Sequence, residues 1–363
     1  MVKPLEGIRV ITLAEQYPGP YATLLLADLG ADVVIVERPQ GGDPARIFPQ
    51  FHAAVNRNKR AVTVDLKTDV GRERLRSLIV SADVLMEGYR PGTMQRLRFG
   101  YEDVQHLNSR IVYVSITGFG QNGPYRDRPA HDLSYQAVAG ILHAHAKAGS
   151  TQLPGDLPIG DLSSGMFAVL GTLAALIERS RTGHGRHVDI SMTDGLVSWM
   201  SANLVPTMNG QSLADVSSEP GYGIFRCADG KLLTLSIAHE DWFWRPMCEL
   251  LGLREHAGLT RESRIAQTQV LRQAIANRIA QETREEWSNR LDLAGIAWSP
   301  LNDLEEVTTD PHFAARGMFT EVTEADGTSQ RYVAQPILFD GVRPGPQRGV
   351  PRLGASNSDF FAD

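Results

Sequence analysis

Four side chains in this sequence have the chemistry for proton or acyl transfer: His131, Asp132, Asp161 and Glu240. His131 and Asp132 are adjacent in Ala130-His131-Asp132-Leu133-Ser134-Tyr135, and Asp161 stands ahead of an apolar run over 166–178. An imidazole titrates near neutral pH and suits proton transfer. A carboxylate at a helix start gains from the helix dipole, and free N–H groups there can hold a developing oxyanion. Each residue also has an ordinary structural reading. Asp161 reads as an N-cap, Asp132 as the cap of a helix from about Leu133, and His131 as a loop histidine. Glu240, in Ala238-His239-Glu240-Asp241-Trp242, reads as a surface carboxylate. The residues alone leave both readings open.

Bringing such groups together requires strands that end on one edge. Apolar, β-branched runs predict strands over 8–13, 32–38, 61–66, 83–87, 110–116 and 187–191. Helical patterns over 21–29, 70–81 and 166–180 fall between them, and Gly30 is a natural helix stop. Strand, helix and strand in this order make parallel βαβ units, so the fold class is α/β with a Rossmann-like parallel sheet. The turn after the first strand, Gly19-Pro20, carries no dinucleotide fingerprint. Three strands end in loops that carry Arg or Lys, Arg38 and Arg90 among them, and a small basic cluster, 56–60 around Lys59, stands just ahead of strand 61–66. Three such loops on one sheet edge could cradle a polyphosphate; ordinary surface charge is the equal alternative.

Past about 203 the composition turns to Asn, Ser, Gly and Asp, as in a linker. A hairpin about Asp229-Gly230 then opens a second unit with helices near 241–251, 261–280 and 283–294. At 363 residues two domains are expected. A net charge of −6 excludes a general nucleic-acid binder yet allows an anionic ligand held by a few arginines. Cys227 and Cys248 have no metal-type or CxxC spacing. His143 and His145 lack a third ligand, so no metal is expected. No GxSxG elbow or GxxxxGK phosphate loop occurs. The sequence shows no leader, no window as long as a membrane span and no peroxisomal ending, so a cytoplasmic protein away from membranes is expected.

Several stretches, in order, resemble the class III CoA-transferase superfamily. They include Pro4-Leu5-Glu6-Gly7-Ile8-Arg9-Val10, Glu37-Arg38-Pro39, Glu87-Gly88-Tyr89-Arg90-Pro91-Gly92, Thr117-Gly118-Phe119-Gly120-Gln121 and Arg181-Thr182-Gly183-His184-Gly185. The likeness covers essentially the whole chain. Within the superfamily the chain is most similar to the α-methylacyl-CoA racemases, whose Gly-His-Asp followed by Tyr is matched by 130–135 except at Ala130. Chain length and the lack of the transferases' glycine-rich loop, for which Asn209-Gly210-Gln211 is a poor match, point the same way.

The resemblance implies a large CoA-binding domain (1–200 and 330–363), a linker (201–221) and a smaller α+β domain (222–329), in an interlocked homodimer. It implies an acyl-CoA substrate and no cofactor beyond coenzyme A as part of that substrate. Arg38 and Arg90 become phosphate contacts, with Asp65, Leu66 and Lys67 near the adenine and Tyr89, Ala130 and Tyr135 completing the CoA residues. As a racemase, His131 oriented by Glu240 and Asp161 paired with Asp132 would work on opposite faces of the acyl α-carbon, with backbone N–H groups near Asp161 holding the enolate. As a transferase, Asp161 would instead be a nucleophile carrying first the acyl group and then CoA. A catalytically silent CoA-binding protein is the third possibility.

Overall fold

A computed structural model describes residues 3–143, 157–211, 218–324 and 326–361; His145 lies outside them. The chain divides into two compact units, Met1–Leu204 with Ala315–Asp363, and Val205–Ala314. The return to the first unit at Ala315 precedes the expected boundary at 330. The 201–221 stretch expected as a linker begins with a helix, Ser201–Met208.

In the first unit the strands are Arg9–Thr12 (β1), Asp32–Glu37 (β2), Arg60–Thr63 (β3), Val84–Glu87 (β4), Val112–Thr117 (β5) and His187–Ser191 (β6). They form one sheet in the order β3-β2-β1-β4-β5-β6, and every pairing is parallel. Strands covered on both faces must be apolar along their length, which is why 32–37 reads Asp-Val-Val-Ile-Val-Glu without alternation. Val10, Val84, Met86, Val112 and Val114 pack on one face with helices Pro18–Asp28 (α1) and Ile159–Thr182. Ile11, Val34, Val62, Leu85 and Tyr113 pack on the other with Leu75, Leu78 and Ile79 of helix Asp69–Val80. Among the described residues, the α-helices between α1 and the long one are Pro49–Asn56 (α2), Asp69–Val80 (α3), Thr93–Arg96 (α4), Tyr101–Leu107 (α5) and Asp132–Val138 (α6). The long helix, Ile159–Thr182, is α7. Sheet order reverses between β1 and β4, and in open parallel sheets ligands collect at the carboxyl ends of the strands flanking such a point.

Helix α7 is long and apolar enough to span a membrane, with mean hydropathy 1.5 over its best window, where the sequence reading expected no such window. Here its Ala168 and Ala175 lie in the core beside α1 and the sheet. The two helices approach closely because Gly165 has no side chain: a Cβ there would lie 2.8 Å from Tyr21 Cδ1 and 2.9 Å from the Pro18 carbonyl.

The 56–60 cluster, read as loop charge, is largely interior. Arg57 pairs with Asp28 at 2.6 Å, both side chains at most 2% exposed. Lys59 Nζ donates to the Pro20 carbonyl at 2.8 Å, Thr23 Oγ1 at 2.8 Å and Asn56 Oδ1 at 2.9 Å. Burial pulls its pKa well below the usual lysine value. An ammonium has three protons, and each meets an acceptor.

After Ala315 an antiparallel hairpin, Phe319–Thr323 with Ser329–Val333, and a short helix, Asn357–Phe360, complete the first unit. The segment around that helix lies along the free edge of β3. Ser356 N–H donates to the Ala61 carbonyl at 2.9 Å, and Asn357 Oδ1 accepts from Thr63 N–H at 2.8 Å. The ring of Phe360 lies 4.4 Å from the Arg60 guanidinium carbon.

The second unit is α+β. Strands Tyr222–Arg226, Leu232–Ser236 and Trp298–Pro300 form an antiparallel sheet. Its first turn uses Gly230 at φ +80°. Phe225, Leu233 and Leu235 pack with Trp244, Met247, Leu271, Ile275 and Trp287 from the helices. The helix expected over 261–280 is broken into Arg261–Ala266 and Thr268–Ile279. Both cysteines are free and buried.

Candidate active site

The nucleophile candidate sits inside a helix rather than ahead of one. Gly160, Ser163, Ser164 and Gly165 are weak helix formers, yet α7 starts at Ile159 with Pro158 as N-cap, which puts Asp161 in its first turn. Packing against α1 outweighs the local preference. Ser163 and Ser164 satisfy their hydroxyls within the helix, donating to the Gly160 and Asp161 carbonyls at 3.0 and 2.8 Å.

Asp132 caps this helix from a distance in sequence. Its Oδ1 accepts from the N–H groups of Gly160 at 2.6 Å and Asp161 at 3.2 Å, and its other oxygen is held by Gln136. Within its own helix it is the first residue after the cap, His131. Gly160 leaves room for this cap: a Cβ would stand 2.8 Å from Asp132 Oδ1 and push it aside. The next N–H groups are engaged too, Ile159 with the Leu157 carbonyl at 2.9 Å and Leu162 with that of Pro158 at 3.0 Å. The expectation of free backbone donors for an enolate is thereby corrected, since the first turn of α7 has spent them.

Burial, and secondarily the charge of Asp132, raise the Asp161 carboxyl from 3.8 to about 7. Around it, Tyr135 donates to the Ala130 carbonyl at 2.9 Å and packs on Gly118, whose Cβ would meet the Tyr135 ring at 2.5 Å. The Gly118 carbonyl accepts from Thr193 N–H at 3.1 Å. Burial pushes the Tyr135 phenol up to about 12, with Asp161 and Asp132 adding to the rise and Arg90 opposing it. Tyr135, Asp161, Asp132 and Arg90 therefore share one field. Tyr17 joins them: burial, then Tyr21, then Asp161 raise its phenol. Neither Tyr17 nor Tyr21 was singled out by sequence, though both follow β1 at the switch point.

Arg38 leaves β2 exposed and is tethered by its Nε to the Gly42 carbonyl at 2.8 Å. Glu15, half-buried at the end of β1, is raised to about 7, first by burial, then by Asp43, with Arg38 opposing and Glu37 adding. Arg90 is exposed on the loop after β4. Two arginines not foreseen converge there, since a Cβ on Gly92 would lie 3.3 Å from Arg126 Nη2 and 3.4 Å from Arg96 Nη1. Their signal in sequence was weak, one Arg of a closely spaced pair in each of two segments, Arg96 with Arg98 and Arg126 with Arg128. Asp65, Leu66 and Lys67 follow β3, with Asp65 Oδ1 accepting from Lys67 N–H at 3.0 Å and Leu66 leaning on the second core face.

His131 is exposed, and its ring has no hydrogen-bond partner among the described residues. Glu240 belongs to the second unit, where it is the N-cap of helix Asp241–Leu250. Its carboxylate accepts from Ala238 N–H at 2.8 Å, which holds it below the usual range. Among the described residues no cluster of His, Cys, Asp and Glu could hold a metal.

The family model for CoA-transferase family III matches residues 5–357. The chain belongs to this family. A succinate–glutarate CoA-transferase from Agrobacterium fabrum is 30% identical over 99% of this chain and 95% of its own. An acetyl-CoA:oxalate CoA-transferase from Acetobacter aceti is 32% identical over 96% and 93%. The crystal structure of a CAIB/BAIF family protein from Brucella suis superposes with TM-score 0.84 at 29% identity, over 99% of this chain and 98% of that one. The Rossmann-like sheet with a smaller second unit is thus the fold of CoA-transferase family III.

The racemase expectation is corrected by the same relatives, which are named as transferases and match nearly end to end. Length does not separate the two activities, given that 95% coverage. Nor does the His-Asp-Tyr pattern: Asp132 caps α7, Tyr135 fastens the loop to Ala130 and Gly118, and the His131 ring has no hydrogen-bond partner among the described residues. Those duties suit an Asp161 nucleophile as well as a proton-transfer pair. The isomerase assignment is overturned by the relatives, which are named as transferases.

Proposed function

We propose that this member of CoA-transferase family III moves CoA from an acyl-CoA thioester to a free carboxylic acid, with Asp161 as nucleophile. The carboxylate of Asp161 attacks the thioester carbonyl, and CoA leaves as thiolate, giving a mixed anhydride. The thiolate then attacks the Asp161 carbonyl, releasing the donor acid and leaving CoA on Asp161 as a thioester. The acceptor carboxylate attacks that thioester, and the returning thiolate takes the acceptor's acyl group from the second anhydride. Every bond broken is re-formed on another partner, so neither metal nor redox cofactor enters.

One observation supports this most: a half-buried carboxyl in the first turn of α7, raised to about 7, where ionised and neutral forms coexist near neutral pH. Arg38 and Arg90, with Arg96 and Arg126 beside the second, supply cations for the CoA phosphates. Asp65, Leu66 and Lys67 are assigned to the adenine side, and Tyr89, Ala130 and Tyr135 to the rest of CoA. Small dicarboxylic acids are the proposed acids, because the relatives are named for succinate, glutarate and oxalate. A cytoplasmic, interlocked homodimer is part of the same proposal.

The test incubates the protein with succinyl-CoA and a panel of acids, then adds hydroxylamine. Trapping at Asp161 as a hydroxamate, dependent on acyl-CoA, supports the reading. Turnover that persists in Asp161→Asn would remove it.

A further inference from the structure

The sheet carries a buried polar chain that the reaction above does not use. Side chains alternate along a strand, so Glu87, Tyr113, Ser115, His187 and Asp189 share one face of three neighbouring strands. Glu87 pairs with Ser115 across β4 and β5, and Tyr113 with His187 across β5 and β6. Glu87 is 4% exposed. Ser115, opposite it in register, opposes the rise of its carboxyl, and Ser115 Oγ lies 3.0 Å from His187 Nε2. The His187 ring stacks on Tyr101 at 5.2 Å and meets Tyr113 edge-on at 5.3 Å. The chain is anchored at its far end by aromatic packing.

Its near end leaves the sheet. Glu87 is the last residue of β4, and its Oε2 accepts from Tyr89 N–H at 2.8 Å. That bond ties the loop to the strand end at Tyr89, where the chain bends, and so sets the direction of Tyr89 and Arg90. A buried carboxyl costs stability unless its oxygens are engaged. An apolar residue would end β4 at less cost, so what the carboxyl adds is the grip on the following loop. Burial lifts Glu87 to about 7, against the Ser115 and Tyr89 hydrogen bonds and with a smaller push from Asp189. Neutral or ionised, it keeps an acceptor oxygen for Tyr89 N–H.

We propose that Glu87, braced by Ser115 and His187, is a positioning residue that sets the Tyr89–Arg90 loop for the CoA moiety. The inference rests on the reading of that loop as a CoA contact. It adds a buried determinant of affinity at the strand end of that loop.

The experiment measures CoA binding by calorimetry, and the KM for succinyl-CoA against kcat, in Glu87→Ala, Glu87→Gln, Ser115→Ala and Arg90→Ala, each checked for an intact melting transition. Glutamine keeps the acceptor for Tyr89 N–H, so Glu87→Gln should bind CoA within about threefold of wild type. Glu87→Ala should lose about tenfold or more, the worth of one buried hydrogen bond to a loop, in KM rather than kcat. Equal losses in the two Glu87 variants, or full affinity in a folded Glu87→Ala, overturn the proposal. Should Glu87→Ala not fold, Ser115→Ala decides: a severalfold rise in KM with kcat kept supports it, and unchanged kinetics overturn it. Arg90→Ala separates the two levels. If it binds CoA as well as wild type, the loop is no CoA contact and the proposal falls with that reading. If it binds weakly while Glu87→Ala binds normally, only the positioning role fails.

Discussion

At Asp161 the fold works against ionisation. Its carboxyl stands at about 7 when folded and near 3.8 when exposed, so between those values the folded chain binds the extra proton and stability declines as pH rises. Asp161→Asn removes that burden. Its melting temperature should exceed wild type by more at pH 8 than at pH 5, while CoA transfer falls by roughly 10⁴-fold or more. In the wild type, transfer should climb as pH passes through about 7, because only the ionised form attacks; a flat pH profile there would argue for another nucleophile. His131 bears the opposite expectation. Exposed and unpartnered among the described residues, it can be replaced by alanine with transfer kept within about threefold and stability changed by no more than about 0.5 kcal/mol. A collapse of transfer in His131→Ala would restore histidine to the reaction. Both residues were legible as candidates from their types, but their environments were not: nothing local announces that one is half-buried and the other open to solvent.

Among the elements, the start of α7 owes its geometry to a residue 28 positions earlier. Sequence placed the strands of the parallel sheet well, since Val-, Ile- and Thr-rich runs bounded by Gly and Pro have few other uses. It placed the helix too late, at about 166, because Gly160, Ser163 and Ser164 look like loop; close packing on α1 and a cap from Asp132 are tertiary facts. Asp132→Ala should therefore act twice. It strands two helix N–H groups, at about 1–3 kcal/mol, and it removes the like charge beside Asp161, so the pH midpoint of transfer should move down. Thermal melts and a pH–rate profile read the two effects separately; an unmoved midpoint would show that burial alone sets the Asp161 carboxyl. Gly160→Ala, which presses on Asp132 Oδ1, should resemble it in stability.

Across the molecule, the chain spends its last described segment on the β3 edge, one of the two edges of the parallel sheet. Unpaired edges invite another chain, and Ser356 and Asn357 occupy the Ala61 and Thr63 backbone groups. Asn357→Ala should raise the tendency to aggregate on warming more than it lowers the melting temperature, as followed by light scattering beside calorimetry. Equal effects on both would mean that the contact is ordinary packing. This cover was invisible in sequence, because nothing in the Pro-, Gly- and Arg-rich stretch from 340 onward names the edge it lies on. The basic 56–60 segment misled in the same way, because lysine and arginine are rarely interior and no pattern announces their partners. Lys59 carries a consequence for a protein that handles activated acids. Thioesters acylate free amines, and Lys3, Lys67 and Lys231 are within reach of solvent, whereas every proton of the Lys59 ammonium is engaged inside the fold. Prolonged exposure to succinyl-CoA should succinylate the first three in peptide maps and spare Lys59, making a mark on Lys59 a record that the molecule had opened.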